Sequence, residues 1–496
     1  MRTFDQFLEK ARELTDIRSA LSVLAWDQET KMPPKAAGHR ARQRATLAAI
    51  YHRKLVSREV YELLESLEQE SLDEFEASSV RELRREHAKA DRVPTELVQE
   101  ITEVGSLAYE RWVEARERSD YGIFEPWLAR MMELKSREAD YLQTVETRYE
   151  ALLDEYEPGM SEQSLDEIFG EVRPQLTNLL RRIEESAVSK TIRPIRGDFP
   201  FKRQENLGRE VLTRIGFDWD AGRLDRSPHP FCVGLSPLDV RITTRYNVND
   251  FTGSLFGMIH EAGHALYEQG LDSARYGYPA CDSVSLGIHE SQSRLWENQI
   301  GRSASFWKYW FPRLPQFFPK ALSNLTLDEF LLSVNQVRAS LIRVEADEVT
   351  YGLHIIMRYE LEKALFSGNV STKDLPSCWN DTMDEYLGVR PANDRDGILQ
   401  DTHWSQGLIG YFPTYLLGNL YAAQFLVAAR KALPDLDAQI EAGTFSSLRE
   451  WLREQIHRYG RQYPASELVQ RVTGEPLRAR YFLEYLEEKY CKLYQI

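Results

Sequence analysis

The chain has 496 residues, of which 42% are hydrophobic and 28% charged, and it carries a net charge of −15. This is the composition of an acidic globular protein with enough apolar content to build a core around a cleft, and its charge disfavours non-specific nucleic-acid binding. The scattered cysteines Cys232, Cys281, Cys378 and Cys491 form no C-x-x-C pair, the opening MRTFDQFLEKAREL has no secretion-signal pattern, and no apolar run approaches the roughly 18 residues of a membrane span, so a cytoplasmic protein is expected.

In chain order, Phe4, Phe7, Leu8, Ala11 and Leu14 recur at helical spacing. Similar stripes pass through Leu83, Leu97, Trp112, Met131 and Leu142, with Arg and Glu alternating on the opposite, solvated faces. Prolines interrupt the pattern at Met32-Pro33-Pro34, Glu157-Pro158-Gly159 and Arg193-Pro194, but none of these breaks is long enough to be a disordered linker. The expectation is one domain, with a helical N-terminal part over about 1–190 and a second part over about 191–496 that holds a sheet, the metal site and further helices. From Ser227 to Tyr246 prolines, β-branched residues and partial alternation replace the helical period, which predicts a small sheet.

The run from Leu255 to Tyr267 returns to helix, with Leu255, Ile259, Ala262 and Leu266 on one apolar stripe. Asn249, Asp250 or Thr252 offers the cap and Gly270 the stop. Inside it lies His260-Glu261-Ala262-Gly263-His264, an H-E-x-x-H pattern. Imidazoles four residues apart project from one helical face and can grip a single metal ion, while Glu261 sits where it can take a proton from water on that ion. A zinc peptidase site needs a third protein ligand and leaves its fourth position to water. Glu290, in His289-Glu290-Ser291-Gln292, lies 26 residues beyond His264 on a second helix-like stretch and completes a His2Glu set. Glu268 is nearer in sequence but would have to reach back along its own helix. The alternative for Glu290 is a solvated acid paired with Arg294 at i+4. Such a set suits one Zn2+ per chain, with Co2+ or Mn2+ able to substitute.

Several further motifs stand in order around this core: Trp26-Asp27-Gln28 with Met32-Pro33, then Gly222-Arg223-Leu224-Asp225 with Ser227, His229, Pro230 and Phe231. Asp239-Val240-Arg241-Ile242-Thr243 reads D-x-R-x-T, Ile342-Arg343 with Ala346-Asp347 reads I-R-x-x-A-D, and Gly397 to Trp404 reads G-x-x-Q-D-x-H-W. Together with the metal motifs, they make the chain resemble the M32 metallocarboxypeptidases over most of its length. The resemblance implies a mainly α, gluzincin-type fold with a deep cleft and one small β-sheet beside the H-E-x-x-H helix. It implies a homodimer that releases single residues from peptides with a free C-terminus, with broad specificity and poor action at proline; the charge and the lack of a span-length apolar run leave neither nucleic acid nor membrane as an expected partner.

An exopeptidase also needs a cation for the terminal carboxylate, and a bidentate arginine suits that task. Arg241 and Arg343 are the candidates, although Arg343 can instead pair with Asp347 and Arg241 with Asp239 across a turn. An oxyanion needs donors besides the metal, and His403, Tyr411 and Tyr415 are placed for this, the tyrosines eight and twelve residues after the histidine. His289, Asp282 and Asp347 are candidates to orient the ligand imidazoles. His229 either meets substrate or packs between its prolines, and Phe306 to Phe311 form an interface or core. His39, His52, His87 and His457, in charged helical stretches, are expected at the surface. An endopeptidase sharing the metal residues and a non-catalytic scaffold are the competing readings. A peptide with a blocked C-terminus separates the first from a carboxypeptidase, and intact Glu261 argues against the second.

Overall fold

A computed structural model describes residues 2–142, 145–320, 322 and 325–496. It is 69% helical with one three-stranded sheet, as the periodicity predicts. The first helix, Thr3–Thr30, buries Phe4, Phe7, Leu8, Ala11 and Leu14 on one face. These pack with Leu55, Val60, Leu64, Leu67, Val80 and Leu83 into a small apolar cluster of their own. A much larger cluster runs from Ala108 to Tyr494 and contains both the motif helix and the sheet. Among the described residues no helix is long and apolar enough to cross a membrane.

The sheet consists of β1 (Gly222–Arg226), β2 (Cys232–Ser236) and β3 (Asp239–Thr244). It starts five residues before the predicted segment, inside the Gly222-Arg223-Leu224-Asp225 motif. The strand order is β1-β3-β2, with β1 parallel and β2 antiparallel to β3. Central β3 is the most buried strand, with Val240 and Ile242 fully enclosed, and the motif helix packs on β2 and β3.

The motif helix spans Thr252–Gly270. The cap position falls on Phe251, none of the three candidates, while Asp250 just before it accepts from the Thr252 amide through Oδ1 at 2.8 Å. The stripe of Leu255, Ile259, Ala262 and Leu266 is buried as the spacing predicts. The second ligand helix, Leu286–Arg294, starts at Ser285, whose Oγ accepts from the Ile288 amide. Gly263 lets the two helices meet, because a Cβ there would lie 2.6 Å from the Gln292 carbonyl oxygen and the Ser293 Cα. Behind them runs Pro413–Ala432, a helix buried on nearly every side. Its Gly418 makes room for Glu290, whose Cγ lies 2.5 Å from where a Cβ would stand.

The surface expectation for two histidines is corrected here, and the open alternative for the aromatic run is resolved. His457 and His87 are buried; the His457 Nε2 bonds the Gln292 side chain at 2.9 Å, and its ring packs against Gly270 at the end of the motif helix. In the aromatic run, Phe306, Trp307 and Trp310 are core residues.

Candidate active site

His260 and His264 stand one turn apart, and both present Nε2 to the same oxygen of Glu290, at 3.6 and 3.3 Å. Ligand atoms of the three residues all lie within 4.8 Å of one another, close enough to share one ion. The far side of each ring is anchored. His260 Nδ1 is 2.9 Å from a Glu297 oxygen, and His264 Nδ1 is 3.1 Å from the His289 carbonyl oxygen. Both anchors only accept hydrogen bonds, so the ring protons belong on Nδ1 and Nε2 is left bare toward Glu290. Two bare imidazole nitrogens and a carboxylate form a donor set that fits zinc or a similar divalent ion.

Glu290 has further partners. Its Oε1 accepts from Arg294 Nε at 2.6 Å, and its Oε2 from Ser293 Oγ at 3.1 Å. The i+4 pair considered as an alternative thus exists alongside the approach to both histidines. Burial opposes its charge, but Arg294 and His260 outweigh burial and hold its pKa well below the usual range. Burial brings His264 down to about 3, helped by neighbouring His289. Burial likewise pushes the Glu261 carboxyl up to about 7, against the pull of His260.

The other sequence candidates around the ligands separate clearly. Glu268 does not join the group; its Oε1 lies 2.9 Å from His289 Nε2. The His289 ring stacks on His264 at 4.4 Å, while its carbonyl, not its side chain, anchors that ligand. Asp282 pairs with Arg18 and Arg461 at 3.3 and 3.4 Å. Asp347 caps the helix Thr350–Phe366 by accepting from the amides of Val349 and Thr350. Neither aspartate touches a ligand imidazole; Glu297 does. Its signal in the sequence was its place seven residues after Glu290, two turns on along the same face.

A second cluster gathers the downstream motifs. Arg343 donates through Nε and Nη2 to Asp401 Oδ1 at 3.0 and 2.8 Å, not to Asp347. Arg358, fully buried, donates to the other oxygen of Asp401 at 2.7 Å. Two guanidiniums thus share one carboxylate, whose pKa they hold far below normal against its burial. His403 places Nε2 3.3 Å from the Tyr415 hydroxyl. Burial lowers its pKa to about 4, with Asp401 opposing and both arginines assisting. Tyr411 packs its ring 5.3 Å from the rings of both His403 and Tyr415. The loop carrying these groups is pinned by buried Glu362, which accepts from Trp404 Nε1 and the Gly410 amide.

Arg241, on β3, bonds both oxygens of Asp239 at 2.9 and 2.8 Å from the same strand, with no turn between them. Its guanidinium lies 4.4 Å from the ring centre of Trp26. His229 is exposed, and its carbonyl oxygen accepts from Ser227.

The family model described as Carboxypeptidase Taq (M32) metallopeptidase matches residues 6–490. Thermostable carboxypeptidase 1 of Thermus thermophilus is 44% identical over 505 residues, covering 99% of each chain. The structure of M32 carboxypeptidase from Deinococcus radiodurans R1 matches with a TM-score of 0.97 at 38% identity, covering 100% of each chain. The Pyrococcus furiosus carboxypeptidase structure matches with a TM-score of 0.95 at 40% identity, covering 99% of each chain. With these matches running the length of the chain, and with a group able to hold a metal ion at its centre, this protein belongs to the M32 family of metallocarboxypeptidases.

Proposed function

We propose that the protein is a zinc carboxypeptidase that removes one amino acid at a time from peptides with a free C-terminus. In this reading His260, His264 and Glu290 hold a single zinc ion, for which cobalt or manganese can substitute. Such an ion supplies Lewis acidity, acidifying a water and polarising the scissile carbonyl. Glu261 accepts the proton of the attacking water and returns one to the departing amine. Its place between the two ligand histidines and its burial support that role. His403, Tyr411 and Tyr415 donate to the oxyanion that develops at the former carbonyl.

The observation that carries the exopeptidase reading is the Arg343–Asp401–Arg358 arrangement. Two buried cations on one carboxylate leave a surplus positive charge, which costs free energy until a second anion arrives. A substrate's terminal carboxylate is that anion, bound by Arg343. Arg241 is the alternative, although Asp239 already occupies it through two bonds. The strand order leaves β1 and β2 as edges, and β2, packed on the motif helix, is the edge we assign to backbone pairing with the peptide. The family resemblance further supports broad specificity with poor action at proline, a single-domain chain and a homodimer, while the scattered cysteines, the acidic net charge and the lack of a span-length apolar run support a cytoplasmic protein with neither nucleic acid nor membrane as partner.

The test compares a free peptide with its C-terminally amidated twin, following products by mass. Stepwise loss of single residues from the free peptide alone, stopped by a chelator, is expected. Internal cuts in both peptides would transfer the assignment to an endopeptidase sharing the same metal residues.

A further inference from the structure

Glu297 belongs to none of the recognised motifs, yet it is tightly held beside the metal group. It sits on a wide π-helical turn, Leu295–Ile300, that follows the second ligand helix. Such turns are rare and cluster at functional sites. Its side chain is only 13% exposed, with Oε2 2.9 Å from His260 Nδ1. Oε1 accepts from Arg302 Nη2 at 3.0 Å. Arg302 is itself fixed by Asn298 and the Val334 carbonyl and lies over the Phe256 ring at 3.8 Å. Arg294 stands between the two acids, 2.6 Å from Glu290 and 3.7 Å from Glu297.

The two imidazoles are therefore supported differently. His264 leans on a backbone carbonyl, which no side-chain change removes. His260 leans on a carboxylate that two arginines hold in place. A carboxylate on Nδ1 fixes the ring tautomer, stops its rotation and makes Nε2 a stronger donor. Without it, the proton can move to Nε2 and block the nitrogen that faces Glu290.

We propose that Glu297 is the positioning residue of the metal centre, holding His260 in its ligating tautomer and orientation. The proposal rests on His260, His264 and Glu290 being the ligands. It is tested by zinc affinity, measured by competition with a chromogenic chelator, and by the visible spectrum of the cobalt-loaded protein. Glu297→Ala is expected to weaken zinc binding about 10- to 100-fold and to alter the cobalt bands. Glu297→Gln keeps the volume but not the charge, and is expected to bind zinc about threefold weaker or worse. The Gln variant carries the test if the Ala variant does not fold. Zinc affinity within twofold of the parent in the variants that fold, with an unchanged cobalt spectrum, overturns the proposal. His264→Ala serves as the separate control: if it keeps full affinity, the ligand assignment itself is wrong, whatever Glu297 does.

Discussion

The guanidinium of Arg294 lies 4.3 Å from the ring centre of Tyr351, whose hydroxyl accepts from Arg343 Nη1 at 3.2 Å. Through its Nε, Arg294 also holds Glu290. Tyr351 thus links the metal group to the arginine proposed to bind the terminal carboxylate. Tyr351→Phe keeps the ring under Arg294 and removes only the bond to Arg343. We expect kcat/KM to fall about tenfold, mostly through KM, since a hydrogen bond to a charged group is worth roughly 1.5–3 kcal/mol. Zinc affinity should not change; a loss of metal binding would show that Tyr351 acts on Glu290 instead.

Glu261→Gln preserves shape and removes the proposed base. Turnover should drop on the order of 10²–10⁴-fold while one zinc ion per chain is retained. Stoichiometry by elemental analysis beside steady-state rates checks both halves, and near-normal turnover would rule out Glu261 as the base.

Arg343→Met should lower kcat/KM on free peptides on the order of 10²-fold and erase the preference for free over amidated ends. The fold should survive, because Arg358 still neutralises Asp401. Arg241→Met should leave the free-to-amide ratio near its parent value. The reverse result would exchange the two roles.

Gly263→Ala places a methyl 2.6 Å from backbone atoms of the second ligand helix, which cannot rotate away. We expect a loss of about 1–3 kcal/mol in stability and weaker zinc binding as the helices separate. Gly253 lies on the same helix with nothing within 4 Å of its Cβ position. Gly253→Ala should therefore be neutral or raise Tm slightly, by up to about 1 kcal/mol in stability. Equal losses in both variants would point to helix chemistry, not to helix contact.

Buried Glu157 accepts from Ser285 Oγ, the Gly287 amide and the Tyr421 hydroxyl, clamping the start of the Glu290 helix. Burial pushes its pKa up from 4.5 to about 7, and its three donors only partly offset this. Between those values the folded chain keeps a proton that the unfolded chain has released, so this group's contribution is full below pH 4.5 and declines as pH rises to 7. The decline is on the order of 3 kcal/mol. Thermal melts of Glu157→Gln and its parent at pH 5 and 7.5 should show the smaller pH effect in the variant. Parallel shifts in both would remove Glu157 as the source.

The sequence by itself determined the elements whose signal is local. H-E-x-x-H sits on a helix because its apolar stripe and its histidines share one period, and the sheet announces itself where that period stops. The downstream motifs, taken in order, point to the family for the same reason: each is a short run that can be read without its neighbours. Pairings between distant segments were not legible in this way. Arg343 lies four residues from Asp347 but finds Asp401, because Asp347 is spent on the amides that open a helix. His457 reads as a surface residue in a charged stretch, yet it is buried against Gly270, where only tertiary packing brings the two together. Arg358 gives no hint of its role until Asp401 is placed beside it. A hydrogen bond or an ion pair depends on distances of a few ångströms between groups that the chain separates by tens of residues. Periodicity records which face a side chain occupies, and only the folded chain decides what that face meets.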